Sequence, residues 1–129
     1  MARLVLDASV VIALLDERDG HHERALVALR ATRADEKVLP ASAYAEVLVA
    51  PMRAGADDLA EFDQTLRDVP VMIEPISAEI ARAAAALRAR HAGLRLGDAL
   101  VLGTGHVLAA AILTADRAWA RYARNVRII

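Results

Sequence analysis

Short apolar runs recur along this chain, and each of the first four is followed by a segment with helical signals. Leu4-Val5-Leu6, Val38-Leu39-Pro40, Val71-Met72-Ile73, Ala111-Ile112-Leu113-Thr114 and Val126 to Ile129 read as strands. Runs without polar alternation suit strands buried on both faces, the condition of a parallel sheet. Val10 to Leu15 continues from the first run as a helix, and His21 to Arg33 follows with Ala25, Leu26 and Leu29 at helical spacing. Ser42 is placed to cap a helix starting at Ala43, with Pro51 expected to end or kink it and Gly55 to break what remains. Asp57 to Arg67 carries Leu59, Phe62 and Leu66 on one face. Ser77 caps a segment whose stripe is Ile80, Ala84, Leu87 and His91, and after a loop containing Gly93 a helix runs from Asp98 to about Leu108. A short helix around Trp119 precedes the last run. The resulting order, β-α-α-β-α-α-β-α-α-β-α-β, predicts an α/β fold with helices on both faces of a mostly parallel sheet of four to five strands.

Composition narrows the chemistry. At 129 residues, 57% hydrophobic, the chain reads as a single domain spanning 1–129 with enough material for a core. It has no cysteine, which excludes a disulfide framework, a thiolate metal site and a cysteine nucleophile. A formal net charge of -1 excludes an overall cationic nucleic-acid glove while leaving room for a local basic patch. Aromatic residues, at 3%, are too few for a base-stacking platform to be the main binding device. The stretch Ala99 to Ala115 lacks Asp, Glu, Lys and Arg, but it is interrupted by Gly103 and Gly105, so no membrane span is expected. Met1-Ala2-Arg3 leads at once into the first apolar run without a leader pattern, so the expected location is cytoplasmic.

Carboxylates fall where a parallel sheet builds its sites. All strand C-termini share one edge, and ligands bind there. Asp7 ends the first strand, and Asp116 lies two residues past the fourth. Glu46 sits early in the helix after the second strand, and the tilt of helical Cα–Cβ bonds lets it reach back to that edge. The helix opened by Asp98 feeds the fourth strand and must run antiparallel to it, which returns Asp98 to the same edge. Each acid has an ordinary reading as well: Asp7 as a turn or cap, Asp98 as a helix-start residue, Asp116 as a cap, and Glu46 on a solvated face. Their joint placement is what points to a site. Converging carboxylates repel unless a cation neutralises them, and hard oxygen donors favour Mg²⁺ or Mn²⁺ over Zn²⁺. Ser9 and Thr114 are hydroxyl residues placed to orient a carboxylate or a metal-bound water. Arg18, Arg95 and Arg117 are the local candidates for holding phosphates. His106 stands about 12 Å along its helix from Asp98, too far to share a metal with it, and Gly103-Thr104-Gly105 has neither the spacing nor the preceding strand of a dinucleotide fingerprint.

Four segments together resemble the PIN-domain family, and more narrowly its VapC-type toxins from bacterial toxin–antitoxin pairs. They are Leu4-Val5-Leu6-Asp7-Ala8-Ser9-Val10-Val11-Ile12-Ala13-Leu14-Leu15, Ala43-Tyr44-Ala45-Glu46-Val47-Leu48-Val49, Leu94-Arg95-Leu96-Gly97-Asp98-Ala99-Leu100 and Ile112-Leu113-Thr114-Ala115-Asp116-Arg117-Ala118-Trp119. The match runs in order over essentially the whole chain. The resemblance implies a three-layer α/β/α sandwich and an Mg²⁺- or Mn²⁺-dependent endoribonuclease. Asp7, Glu46, Asp98 and Asp116 match the family's acidic quartet, and Ser9 and Thr114 its accessory hydroxyls. It further implies an RNA substrate, a homodimer, and a small cognate antitoxin bound near the helix from Ala43 and the helix Asp57–Arg67. Two departures stand out. Gly97 replaces a frequent proline, which is expected to make the approach to Asp98 less rigid. Gly103-Thr104-Gly105 replaces small apolar residues, which is expected to loosen that helix. Two other readings remain open at this point: a PIN nuclease of RNA processing or decay, and a catalytically silent module whose acidic pocket receives a partner's arginine.

Overall fold

The computed structural model describes residues 2–129; Met1, where the leader reading begins, lies outside them. The elements are β1 (Arg3–Leu6), α1 (Ala8–Leu15), α2 (His22–Ala31), β2 (Glu36–Pro40), α3 (Ala41–Ala54), α4 (Ala56–Asp68), β3 (Val71–Glu74), α5 (Ala78–Arg90), α6 (Leu96–Val107), β4 (Ala111–Thr114), a 3-10 turn (Arg117–Arg121) and β5 (Val126–Ile128). Their order is the expected one. The strands form one sheet in the order β3-β2-β1-β4-β5, every neighbouring pair parallel. Leu4, Val5 and Leu6 of the central strand are essentially inaccessible, so helices cover the middle of the sheet on both faces, but the edge strand β3 does not meet that expectation: Met72 and Ile73 are exposed. No helix among the described residues is long and apolar enough to cross a membrane.

The topology creates the site. From β1 the chain steps outward to β2 and β3, then α5 and α6 return it across the sheet to β4 on the other side of β1. The strand order therefore reverses between β1 and β4, and the crevice at the C-terminal ends of that pair is where open α/β sheets bind ligands. Leu6 pairs with Leu113, and the Asp7 amide donates to the Leu113 carbonyl at 3.0 Å, which locks the two strand ends together.

Several local expectations are corrected. Ser42 does not cap its helix: β2 runs into α3 without an intervening loop, Pro40 takes the cap position, and the Ser42 hydroxyl is buried without a partner. Ser77, reached through an extended segment, does cap, accepting from the Ile80 amide at 3.1 Å. Pro51 does not terminate α3, which continues to Ala54. Gly55, at φ +128, makes the break before α4. The glycines of α6 do not loosen it. The helix runs unbroken to Val107, and a Cβ on Gly103 would stand 3.0 Å from the Ile80 carbonyl oxygen and 3.1 Å from the Ala84 nitrogen. The missing side chain lets α6 lie directly against the α5 backbone.

Candidate metal and nuclease site

Asp7 is the most tightly held of the acids. It follows β1 and caps α1, its Oδ1 accepting from the Ala8 amide at 2.8 Å. Its Oδ2 accepts from the Ser9 hydroxyl at 2.8 Å and from the Thr114 hydroxyl at 2.9 Å. Those hydroxyls are fixed in turn: the Ala115 amide donates to Ser9 Oγ at 3.1 Å, and the Asp116 amide donates to Thr114 Oγ1 at 3.1 Å. Thr114 is fully buried at the end of β4, so its hydroxyl ties the first acid to the backbone of the last. Asp116 has the expected cap role too, accepting from the Ala118 amide at 2.9 Å. The cap reading and the site reading are compatible for Asp7 and Asp116, because a cap uses one carboxylate oxygen and leaves acceptor capacity on the group.

Glu46 and Asp98 arrive from the helices. Glu46 points from α3 toward the first turn of α6, where a Cβ on Gly97 would lie only 2.8 Å from its Oε1. Gly97 is therefore part of that turn and not of a loosened approach to it, and its lack of a side chain makes room for the Glu46 carboxylate. Asp98 follows directly, its Oδ2 3.9 Å from Nε of the exposed Arg95. Burial, against the lowering effect of its hydrogen bonds, holds the Asp7 carboxyl above its ordinary range. Glu46 is raised by partial burial, then by the charges of Asp7 and Asp98, with Arg95 acting the other way. Asp98 is raised by burial and then by Asp7, while Arg95 lowers it and Asp116 raises it. The acids thus feel one another, and Arg95 is the one cation that offsets them.

No three acidic or histidine side chains among the described residues form a ready-made cage for a metal ion. The chemistry of the donors is nonetheless that of ligands to a hard divalent cation. They are carboxylate and hydroxyl oxygens held together against their own repulsion. Mg²⁺ keeps several of its waters and takes one or two carboxylates directly, so a wide cluster suits it better than a closed cage. Of the arginine candidates, Arg95 and Arg117 adjoin Asp98 and Asp116. Arg18 does not belong here. It pairs with Asp16 at 3.2 Å, beyond the far end of α1, about 12 Å along the helix axis from Asp7. The role of Gly97 escaped sequence reasoning, because no local pattern announces that a missing Cβ faces a carboxylate from another helix.

The PIN domain family model matches residues 4–125. No curated protein matches the chain by sequence. Among solved structures, one chain of a toxin–antitoxin complex from Klebsiella pneumoniae superposes with a TM-score of 0.81 at 23% identity, covering 96% of this chain and 95% of that one. A chain of VapBC2 from Rickettsia felis, bound to a DNA fragment from its promoter, gives 0.76 at 13% identity, with coverage of 98% and 97%. VapC20 of Mycobacterium tuberculosis, a sarcin–ricin loop cleaving toxin, gives 0.71 at 17% identity, with coverage of 92% and 93%.

Proposed function

This chain belongs to the PIN domain family, and from that premise we propose that it is a metal-dependent endoribonuclease, the toxin of a toxin–antitoxin pair. The observation that carries the reading is the convergence of Asp7, Glu46, Asp98 and Asp116 at the β1–β4 switch point, where burial and mutual charge raise Asp7, Glu46 and Asp98. Asp7, Asp98 and Asp116, with Glu46, are the residues that would hold Mg²⁺ or Mn²⁺. Such an ion supplies activation of a water and charge neutralisation at the attacked phosphorus.

The chain's own groups prepare that chemistry. Three donors aim Asp7, so its carboxylate presents a fixed edge and does not reorganise during reaction. Glu46 has no hydrogen-bond partner among the described residues, and its raised carboxyl suits a group that orients the attacking water or takes its proton. Arg95, largely free in solvent beside Asp98, is placed to meet a phosphate of the substrate.

One similar structure is described as a toxin–antitoxin complex, another as VapBC2 bound to a DNA fragment from its promoter, and VapC20 as a sarcin–ricin loop cleaving toxin. An antitoxin partner and a structured RNA substrate come to this chain by that likeness. A groove of about 610 Å³ between the end of α1, α3 and α4, with Ile12, Leu15, Val47 and Phe62 in its lining, is where the antitoxin segment fits. A second copy of the chain would complete a homodimer.

The test is cleavage of structured cellular RNA by wild type and Asp98→Asn, with Mn²⁺, Mg²⁺ or EDTA. Discrete fragments from wild type with metal, and none with EDTA or from Asp98→Asn, are expected. Equal cleavage by both proteins would place the chemistry elsewhere, and no cleavage by either, together with no thermal stabilisation by metal, would leave a silent binding module.

A further inference from the structure

The near-neutral net charge conceals a division of the molecule. Residues 1–78 hold eight of the 16 basic residues but 14 of the 17 acidic ones, a formal -6. Residues 79–129 hold the other eight basic residues, all arginine, and three acids, a formal +5. Two of those three acids are Asp98 and Asp116; the third, Glu79, is in the first turn of α5. The sheet order makes this a division in space. β1, β2 and β3 carry the acidic part to one side, while β4, β5, α5 and α6 belong to the basic part.

The basic part carries arginines both at the candidate site and along a groove beside α5. Arg95 and Arg117 stand beside the two acids. The His91 ring packs edge-on against Tyr122 at 4.9 Å, joining the end of α5 to the segment after the 3-10 turn, and Arg121 lies 5.9 Å from the centre of the Tyr122 ring. Below them a groove of about 260 Å³ separates α5 and α6 from this segment, with Leu87, Leu102 and Tyr122 in its lining and the exposed Arg90, His106 and Arg124 along it. Arg90 ends α5 at the site edge of the sheet. His106 lies near the end of α6, and Asn125 donates to the carbonyl of Ala110 just before β4, so the other end of the groove is at the opposite edge. The groove follows α5 from Ala83 to Arg90, about 10 Å, room for about three stacked nucleotides. Arg90, Arg117, Arg121 and Arg124 have no carboxylate within ion-pair distance among the described residues. Arginines gathered without counter-charges suit a ligand that brings its own.

We propose that this arginine sector, Arg90, Arg121 and Arg124 around Tyr122, with Arg95 and Arg117 leading into the site, is the track on which the RNA strand lies. The inference rests on the nuclease reading and names the surface that reading leaves open. Its contacts are to phosphates, so it sets affinity and register, and base readout falls to the site itself.

The experiment is equilibrium binding of a fluorescent single-stranded RNA, in EDTA so that nothing is cleaved, over a series of salt concentrations. The triple variant Arg90→Ala/Arg121→Ala/Arg124→Ala should bind at least about tenfold more weakly at low salt. It should also lose about 2 from the slope of log K against log salt, since each phosphate contact to a single strand contributes about 0.7. The same three positions changed to lysine should keep the slope, which a merely structural role would not predict. Arg24→Ala/Arg30→Ala/Arg33→Ala, on and just past α2 in the acidic part, should leave it unchanged. An unaltered slope in the first triple, or an equal loss in the second, overturns the track. Failure of the nuclease reading looks different: the wild type itself would neither bind this RNA nor cut structured RNA with metal.

Discussion

Replacing Gly97 by alanine should separate function from stability. The added Cβ would meet Glu46 Oε1 at 2.8 Å, and ordinary contact begins near 3.4 Å, so the carboxylate must move by at least about 0.6 Å. The obstructed atom is the tip of a flexible side chain, which retreats at little cost. Alanine at a helical position gains up to about 0.5–1 kcal/mol over glycine. The expected Tm is therefore unchanged or higher by up to about 4 °C. Activity should go the other way. Displacements of about 1 Å in catalytic groups cost up to about 100-fold, so a fall of about tenfold or more in the single-turnover rate is expected. Adding Glu46→Asp, one methylene shorter, should recover part of that loss in the Gly97→Ala background while being harmful alone, a coupling that a double-mutant cycle reads directly. Wild-type cleavage by Gly97→Ala, or additive effects in the cycle, would refute the claim that the glycine exists to admit the Glu46 carboxylate.

Four further outcomes follow from the same contacts. Because Asp7, Glu46 and Asp98 are raised in the folded protein and ionise near pH 4 when unfolded, the folded state holds more protons across that interval. Stability without metal should then decline as pH rises through it, and the Tm increase given by Mg²⁺ should be absent near pH 4 and grow upward; a metal shift that grows toward acid would contradict this. Thr114→Val removes the hydroxyl that serves both Asp7 and the Asp116 amide, and should cost about 1–3 kcal/mol in urea denaturation and reduce cleavage as well. Gly103→Ala presses a methyl into the backbone of α5, which cannot retreat, and should destabilise by about 1–3 kcal/mol with no change in metal dependence. Lys37→Met removes a buried ammonium that donates to the Thr32 and Asp35 carbonyls, and should lower stability by about 1–3 kcal/mol while sparing cleavage.

What the sequence could say depended on whether the signal was local. The inner strands β1, β2 and β4 were legible because a strand buried on both faces must be apolar throughout, whereas the edge strand β3 is apolar yet leaves Met72 and Ile73 exposed. The placement of Asp7 and Asp116 was legible because strand ends in a parallel sheet share an edge, and that of Glu46 and Asp98 because of the direction in which their helices run. Capping shows where such reasoning stops. Ser42 and Ser77 offer the same hydroxyl at a helix start, yet only Ser77 has the extended residues before it that let the chain turn and the oxygen face an amide. Of the two outcomes open at Pro51, the helix does not end there: three residues beyond it stay helical until Gly55 makes the expected break. Gly97 and Gly103 signalled backbone freedom locally, whereas both are spaces shaped by neighbours from another element. Arg18 lies close to Asp7 in the chain, but the intervening helix carries it away from the site.

The charge division was countable from the sequence, yet its meaning depends on the topology. A total of -1 describes what a polyanion meets only if the charges are mixed on the scale over which they are felt. That scale is about 8 Å at physiological salt. The five strands, spaced at about 4.8 Å, separate the outer edges of the sheet by about 19 Å. An RNA strand on the proposed track would therefore meet the arginines of α5 and the 3-10 turn, with the acids of α4 and β3 screened from it. Because the strand order reverses at β1 and β4, the candidate site falls where the two parts join. Asp7 and Glu46 come from the acidic part, and Asp98 and Asp116 from the basic one. On the proposed function, the acidic cluster would thus border the arginines proposed to meet phosphate. The same crossover that sets where the four carboxylates lie would then also orient the proposed substrate's approach.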